Sequence, residues 1–364
     1  KARHSRFALT DKPIQDTIAL LFIRRPYPEG LLLYRYDLFF RGKRRGQGKT
    51  RRQKGRMPMF GRRPEGKRVK HLDPIVQITP YLMPWRCDAQ VFLAYDAEYE
   101  PLLRYMSQKS REGVKITFME LIIAAFVRAI SQVPEANRFI MNRKFYNRTE
   151  LAVSFVVLRP TEDGQPEENA VKVKFDPSDT IFEVSARVKQ TIEEGRRTDD
   201  DSAAIKLASA LLKVPLLPNL VVHVANFLDH HDLFPKALMD ALPFHTSLFV
   251  TNMASIGMTR VYHHIYNFGD TTMFLSLGCP ERSHAVDATG KVFRKCTLPM
   301  GMTVDERICG GAVYARLFAS MKHYLKHPEE LEAPPDRVYY NEGAEYHVPK
   351  PDNVALPHSV TLNA

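Results

Sequence analysis

Two adjacent histidines, His263 and His264, lie in the segment YHHIYNFG at positions 262–269 and have the chemistry needed to move a proton. An unperturbed imidazole titrates near neutral pH, so it can accept a proton and return it under physiological conditions. A pair can supply one base and one partner that orients it. The alternative is an aromatic turn, in which the neighbouring rings pack and the histidines hydrogen-bond to the backbone.

A second candidate base is Glu306, in a short motif that runs directly into the apolar, helix-like stretch Ala312 to Leu325. The motif reads Asp305, Glu306, Arg307, Ile308, Cys309, Gly310 and Gly311. An unperturbed glutamate has a pKa of about 4.3, so it accepts a proton from a thiol or hydroxyl poorly unless burial raises that pKa. The structural alternative is an ion pair of Arg307 that holds the turn, with Glu306 as a bracing residue.

This motif resembles the Asp-His-Arg-x-x-Asp-Gly of the dihydrolipoamide acyltransferase catalytic domains of 2-oxo acid dehydrogenase complexes. It also resembles the His-His-x-x-x-Asp-Gly of chloramphenicol acetyltransferases. In both families the second residue of the motif is the histidine base. Here Glu306 stands at that position, and Gly310 stands where the families have an aspartate. The resemblance therefore implies a stand-alone, acyltransferase-like chain whose active-site motif is degenerate.

Three upstream segments resemble the same family in the same order. Ile116 to Asn137 is similar to the family's first long helix, Ser247 to Gly257 to its Phe-Thr-Ile-Ser-Asn-Leu-Gly strand, and Met273 to Gly278 to its Ile-Leu-Ala-Val-Gly strand. The resemblance covers residues 75–328. It implies an α/β fold, a two-layer sandwich of the chloramphenicol acetyltransferase type with a mixed sheet, that forms trimers.

The resemblance also implies a site. The hydroxyl that donates to the oxyanion carries over to Thr251, with Asn252 and Ser255 as neighbours, although such residues in strands often only satisfy the backbone. A coenzyme A thioester is the implied acyl donor. The family's strand order places the loop of His263 and His264 close to the acyl-transfer channel, so either histidine could replace the missing base.

The implied partners are further copies of the chain. Both families assemble as trimers, with the base of one subunit facing the hydroxyl of the next. The resemblance therefore predicts a homotrimer or a multiple of three, which could extend to a large shell or a larger dehydrogenase-like complex.

Neither a lipoyl group nor a metal is expected on this chain. Asp11-Lys12 resembles the Asp-Lys-Ala of a lipoyl domain, but only ten residues precede it, too few for the lipoyl β-sandwich. His230 and His231 are adjacent and would point in different directions on a helix, and His223 adds no ligand at the expected spacing. A polar helix terminus is the favoured interpretation of this cluster.

Positive charge is concentrated between Arg41 and Lys70, where fourteen Lys or Arg and one acid give a local net charge of +13, against +11 for the whole chain. The stretch has too few apolar residues to offset the entropy cost of folding alone, which predicts a basic arm or loop over residues 41–74. Its positive charge suits the binding of phosphates through residues 41–70, whether of nucleic acid, of an anionic lipid surface or of the nucleotide end of coenzyme A. The favoured interpretation is a clamp on an acidic neighbour in an oligomer, because the rest of the chain is slightly acidic.

The remaining boundaries follow from composition. Residues 1–40 predict an N-terminal strand or helix segment, residues 75–328 the acyltransferase-like domain, and residues 329–364 a tail. No apolar run reaches the roughly 18 residues of a membrane span, so no transmembrane segment is expected. Four scattered cysteines and the absence of an apolar leader indicate a reduced intracellular compartment, which predicts a cytoplasmic location and leaves a mitochondrial one open.

Three functions follow from these patterns. The first is coenzyme A-dependent acyl transfer, impaired or rerouted because Glu306 replaces the motif histidine. The second is a catalytically inactive trimeric scaffold or cage-forming subunit. The third is a polyanion binder, for RNA or a membrane surface, through the basic arm.

Overall fold

The computed structural model describes residues 63–159, 167–197, 217–344 and 348–357. The predictions for the segment 1–40 and for most of the basic arm lie outside these residues.

The described residues form ten strands. They are β1 (Gly66–Arg68), β2 (Gln90–Glu98), β3 (Arg138–Met141), β4 (Lys144–Arg148), β5 (Leu151–Arg159), β6 (Glu167–Phe175), β7 (Leu248–Asn252), β8 (Met273–Leu277), β9 (Glu281–Val286) and β10 (Val292–Asp305). Seven of them make one sheet in the order β2-β10-β8-β7-β5-β6, with β9 paired to β10. Strand β7 runs parallel to both β5 and β8, whereas the other pairs are antiparallel. The predicted mixed sheet in an α/β fold is confirmed.

A smaller antiparallel sheet, β1-β4-β3, lies beside the large one. Strand β1 comes from the C-terminal end of the predicted basic arm, and its Gly66 pairs with Arg148 at the end of β4.

Seven α-helices accompany the sheets in the described residues. They are α1 (Pro74–Leu82), α2 (Tyr99–Arg111), α3 (Phe118–Gln132), α4 (Ile181–Arg197), α5 (Leu217–His230), α6 (Lys236–Ala241) and α7 (Gly311–Lys326). Helix α3 begins at a capping box, in which Thr117 accepts from the backbone of Glu120 and the Glu120 carboxylate accepts from the backbone of Thr117. Twelve of its fifteen residues are buried. The helices predicted within 116–137 and at 312–325 are confirmed.

The helices cover one face of the large sheet. Alternate residues of β10, such as Met300 and Met302, pack into one core with residues of α2, α3, α4 and α7, among them Leu102 and Leu317. The intervening residues point to the other side of the sheet, because successive side chains of a strand alternate between faces. We call this second side the open face.

No described helix combines the length and apolar content needed to cross a bilayer. In the tail, the described residues 336–344 and 348–357 contain neither helix nor strand.

Candidate functional site

The open face is partly covered by the segment Thr259 to Phe268, which we call the covering segment. The backbone N–H of Val261 donates to Ser276 Oγ at 3.4 Å, and the Ser276 hydroxyl donates to the Val261 carbonyl. A Cβ added at Gly278 or Gly301 would overlap with the backbone of this segment. Glycine at these two positions therefore lets the covering segment approach the sheet closely.

His263 lies on the open face. Its ring stacks on Phe274 of β8, with 4.6 Å between centroids. Burial, and to a smaller extent the neighbouring His264, lowers the pKa of His263, so its imidazole is neutral at neutral pH. Its Nε2 atom is buried and has no hydrogen-bond partner among the described residues. The ring is therefore in the protonation state that a general base requires.

His264 is exposed, and its ring packs edge-to-face with that of Tyr266, with 5.2 Å between the ring centroids. Phe244 packs edge-on against both Tyr266 and Phe268. The aromatic packing that the sequence offered as the alternative is thus present around the pair. It holds His263 against the sheet and leaves His264 at the surface.

Thr251 also lies on the open face, in one cross-strand row with Ser276 of β8 and Gly301 of β10. The row that contains Phe274 lies two residues away along the strands, which corresponds to about 7 Å. The Thr251 hydroxyl contacts only the Met253 sulfur, at 3.5 Å, among its described neighbours. Thr251 and the ring of His263 therefore lie on the same side of the sheet.

The two other residues predicted beside Thr251 belong to a turn. Asn252 is exposed and precedes a 3-10 turn at Met253–Ile256, and the Ser255 hydroxyl donates to the Asn252 carbonyl at 2.6 Å. Ser255 thus caps the end of β7.

The acidic motif forms a buried brace. Arg307 donates to both carboxylate oxygens of Asp305, at 2.8 and 2.7 Å, and Arg86 Nε lies 3.8 Å from the same carboxylate. The Tyr314 hydroxyl donates to the Asp305 carbonyl at 2.7 Å. These contacts tie the end of β10 to the start of α7 and to the chain before β2.

Glu306 is exposed, and its backbone N–H donates to the Ala89 carbonyl at 2.9 Å. It lies five residues beyond Gly301, so it is about 16 Å along the strands from the Thr251 row of the same chain. Gly310 is the N-cap residue of α7, and a Cβ at Gly310 or Gly311 would meet no atom within 4 Å. A side chain at position 310, where the families have an aspartate, would therefore begin in open space, but this chain has glycine there.

Cys309 is the one thiol of the motif, and it is buried. Burial raises the pKa of Cys309 to about 12. The thiol is therefore protonated at neutral pH and is not a competing nucleophile.

Behind the motif lies a buried ionic cluster that the sequence did not predict. Arg148 donates to Asp270 Oδ1 at 2.9 Å, and Arg63 bonds Glu65 and Asp229 at 2.5 Å each. His245 lies between two of these carboxylates, with Nδ1 3.6 Å from Asp270 Oδ2 and Nε2 3.9 Å from Asp229 Oδ2. Although burial opposes ionisation, Arg148 and His245 hold the pKa of Asp270 well below its usual range.

In the described part of the chain, Glu65, His245 and Asp270 are the group whose ligand atoms lie near enough for a metal ion, within 4.8 Å of one another. Two of these carboxylates already bind guanidinium groups, which favours an ion-pair network over a metal centre. The predicted absence of a metal stays a prediction. His223 and His231 each bond a backbone carbonyl four residues upstream, as expected for helix surface residues.

A cavity of about 570 Å³ opens beside the brace, between α5, the β3–β4 turn and the chain before β2. Trp85, Arg143 and His230 are among the residues that line it. The Arg86 guanidinium also reaches it, but this group already donates to the carbonyls of Tyr266 and Gly269.

No family model matches the sequence, and no curated protein matches it. Solved structures do match. The dihydrolipoamide acetyltransferase of Azotobacter vinelandii is 14% identical, with a TM-score of 0.46 over 72% of this chain and 93% of that chain. A probable dihydrolipoamide acetyltransferase of Listeria monocytogenes is 12% identical, with a TM-score of 0.46 over 75% of this chain and 99% of that one. A chloramphenicol acetyltransferase is 9% identical, with a TM-score of 0.44 over 72% of this chain and 100% of that one. The structural neighbours thus include both families that the motifs resemble.

Proposed function

We propose that this chain transfers an acyl group from a coenzyme A thioester to a thiol or hydroxyl acceptor, with His263 in place of the missing motif histidine. The observation that carries the proposal is the position of His263. It is a neutral imidazole whose Nε2 has no hydrogen-bond partner among the described residues, and its ring stacks on Phe274, which lies on the same sheet face as Thr251 in a row about 7 Å along the strands from the Thr251 row.

The contrast with Glu306 supports this assignment. Glu306 is exposed, and its neighbours Asp305 and Arg307 are bound to each other. A carboxylate in water is a weak base toward a thiol or hydroxyl, whereas a neutral imidazole is suited to the task.

In the proposed reaction, His263 takes the proton of the acceptor as its oxygen or sulfur attacks the thioester carbonyl. The Thr251 hydroxyl donates a hydrogen bond to the oxyanion that forms. The tetrahedral intermediate then collapses, the carbon–sulfur bond breaks, and the imidazolium returns its proton to the leaving thiolate of coenzyme A. His263 therefore both removes the proton from the acceptor and returns it to the leaving thiolate.

The test is a direct assay of acyl transfer by the whole chain. Acetyl-coenzyme A and longer acyl thioesters are offered with small thiol and alcohol acceptors, and both free coenzyme A and the acylated acceptor are measured. We expect acceptor-dependent release of coenzyme A. Release of neither product with any donor would reject the proposed activity.

A second candidate, an inactive oligomeric subunit, is favoured by one specific observation. The motif carboxylate Asp305 is bound by Arg307 and Arg86, so the turn that holds the base in the families serves here as a structural brace. An absence of acyl transfer together with a stable oligomer would support this candidate.

Under either candidate we predict a trimer or a multiple of three, because the families that the motifs resemble build their channel between subunits. Mass photometry at low micromolar concentration should show species at multiples of three times the chain mass of 41.7 kDa. A stable monomer would contradict both the trimer and a shared channel.

A further inference from the structure

A pocket of about 390 Å³ lies between the small sheet and helix α1. Four of the residues that line it are basic, namely Arg68, Lys70, Arg143 and Lys144. None of its described lining residues carries a carboxylate. We call it the basic pocket. Its volume is in the range of sites that hold small molecules.

Strand pairing directs three of these cations to one side of the small sheet. Arg68 of β1 pairs with Tyr146 of β4, two residues from Lys144. The backbone N–H of the next residue, Val69, continues this pairing with a hydrogen bond of 2.8 Å to β4. Lys70 therefore comes opposite Lys144, on the same face as Arg68, because successive side chains alternate between faces. Like charges that face each other across two strands repel.

The other arginines at the small sheet are neutralised by carboxylates. Arg63 binds Glu65 and Asp229, and Arg148 binds Asp270. Within the described part of the chain, none of the four cations of the basic pocket forms such an ion pair. The positive charge that converges on the pocket is therefore left without a counter-charge from these residues.

One acid, Asp73, lies in the chain between two of the lining residues, Leu72 and Gln77. Its carboxylate accepts from the backbone N–H of Ile75 at 2.9 Å and caps the start of helix α1. It is exposed and does not line the pocket. A single carboxylate engaged in a helix cap does not balance four cations.

The β3–β4 turn holds one of the cations in an unfavourable backbone conformation. Asn142 and Arg143 form this turn, with φ angles of 47° and 59°. Two-residue hairpin turns of this kind favour asparagine followed by glycine, because a Cβ is disfavoured in the left-handed region. The Arg143 guanidinium lies 5.4 Å from the centroid of the Tyr81 ring, at the pocket wall. Backbone strain of this kind concentrates at functional sites.

We propose that the basic pocket binds the phosphate groups of a small phosphorylated ligand that carries at least two phosphates. Guanidinium groups bind phosphate oxygens in a bidentate manner, and lysine ammonium groups add point charges. Nucleic acid fits less well, because single strands bind by stacking on free rings. The one exposed ring that lines the pocket, Tyr81, already has Arg143 over it. The proposal does not depend on acyl transfer.

Isothermal titration calorimetry of the whole chain with inorganic pyrophosphate tests the site. We expect saturable binding, one site per chain, that weakens as salt is raised, because screening shortens the reach of exposed charges. ATP and coenzyme A are then offered as competitors. Displacement of pyrophosphate by one or by both identifies whether the phosphates belong to a free nucleotide or to coenzyme A.

A matched pair of double variants locates the binding. Arg68→Gln with Lys144→Gln should weaken pyrophosphate binding at least about tenfold, since it removes two charge-assisted contacts. Arg294→Gln with Lys291→Gln removes the same two charges at the exposed β9–β10 hairpin and should leave the affinity unaltered. Circular dichroism reports the folding of both.

Arg143→Gly separates binding from stability. It removes a guanidinium from the pocket and places glycine in the left-handed position that favours it. We expect weaker pyrophosphate binding together with a melting temperature at or above that of the wild type. A lower melting temperature with unchanged binding would assign Arg143 to the fold alone and contradict the proposal.

Three further results would overturn it. The first is the absence of saturable binding up to about 1 mM pyrophosphate. The second is an equal affinity of the two double variants, which would place the binding elsewhere on the chain. The third is single-stranded RNA that binds through Arg68 and Lys144 and is not displaced by pyrophosphate, which would assign the pocket to nucleic acid.

Discussion

Replacing His263 with alanine is expected to lower the rate of acyl transfer by about two to four orders of magnitude, the usual contribution of a positioned general base. The reason is that His263 is the neutral imidazole held on the Thr251 face of the sheet. Initial rates at saturating acyl donor measure the effect. Because burial lowers the pKa of His263, the wild-type rate should stay constant as pH falls to the ordinary histidine pKa of about 6.5, and should decline only below it.

Three further variants make this result specific. Glu306→Ala removes the side chain at the motif position, and we expect little change in rate. His264→Ala tests the exposed member of the pair. His284→Ala alters an exposed histidine of β9 and serves as the matched control. Loss of activity in Glu306→Ala, with His263→Ala unaffected, would identify Glu306 as the base. Full activity in the His263, His264, Glu306 and His284 variants would reject both His263 and Glu306 as the base.

The substitution Asp270→Asn is expected to lower the free energy of unfolding by about 3–5 kcal/mol, because it leaves the fully buried Arg148 guanidinium without its counter-ion. Chemical denaturation monitored by circular dichroism measures the loss. Since the folded pKa of Asp270 is depressed, its contribution in the wild type is complete above the unfolded pKa of about 3.9 and is lost as pH falls below it.

Asp96→Asn is the control for that measurement. Asp96 pairs with Arg260 at the surface and is half exposed, so its loss should change the free energy of unfolding by at most about 1 kcal/mol. Equal effects of the two substitutions would show that the Arg148–Asp270 pair contributes no more than a surface ion pair.

The helices and the sheet class could be predicted because their signals are local. The apolar spacing and the capping box of Thr117 and Glu120 act within a few residues, and they lead to the observed helix α3. The segments Ser247 to Gly257 and Met273 to Gly278, assigned as strands by their resemblance to the family, contain β7 and β8. The motif beginning at Asp305 likewise identified the junction between β10 and α7.

The site depends on contacts between residues that are far apart in the chain. The ionic cluster joins Glu65, Asp229, His245 and Asp270. Arg86 donates to carbonyls about 180 positions away in the chain. No local sequence pattern indicates either arrangement. Similarly, the sequence gave no reason to prefer His263 over His264 as the base. Only the register of β7, β8 and β10 and the glycines under the covering segment placed His263 on the sheet and left His264 in solvent. Secondary structure follows from short-range spacing and capping, whereas burial and side-chain partners follow from strand pairing, which brings distant residues together.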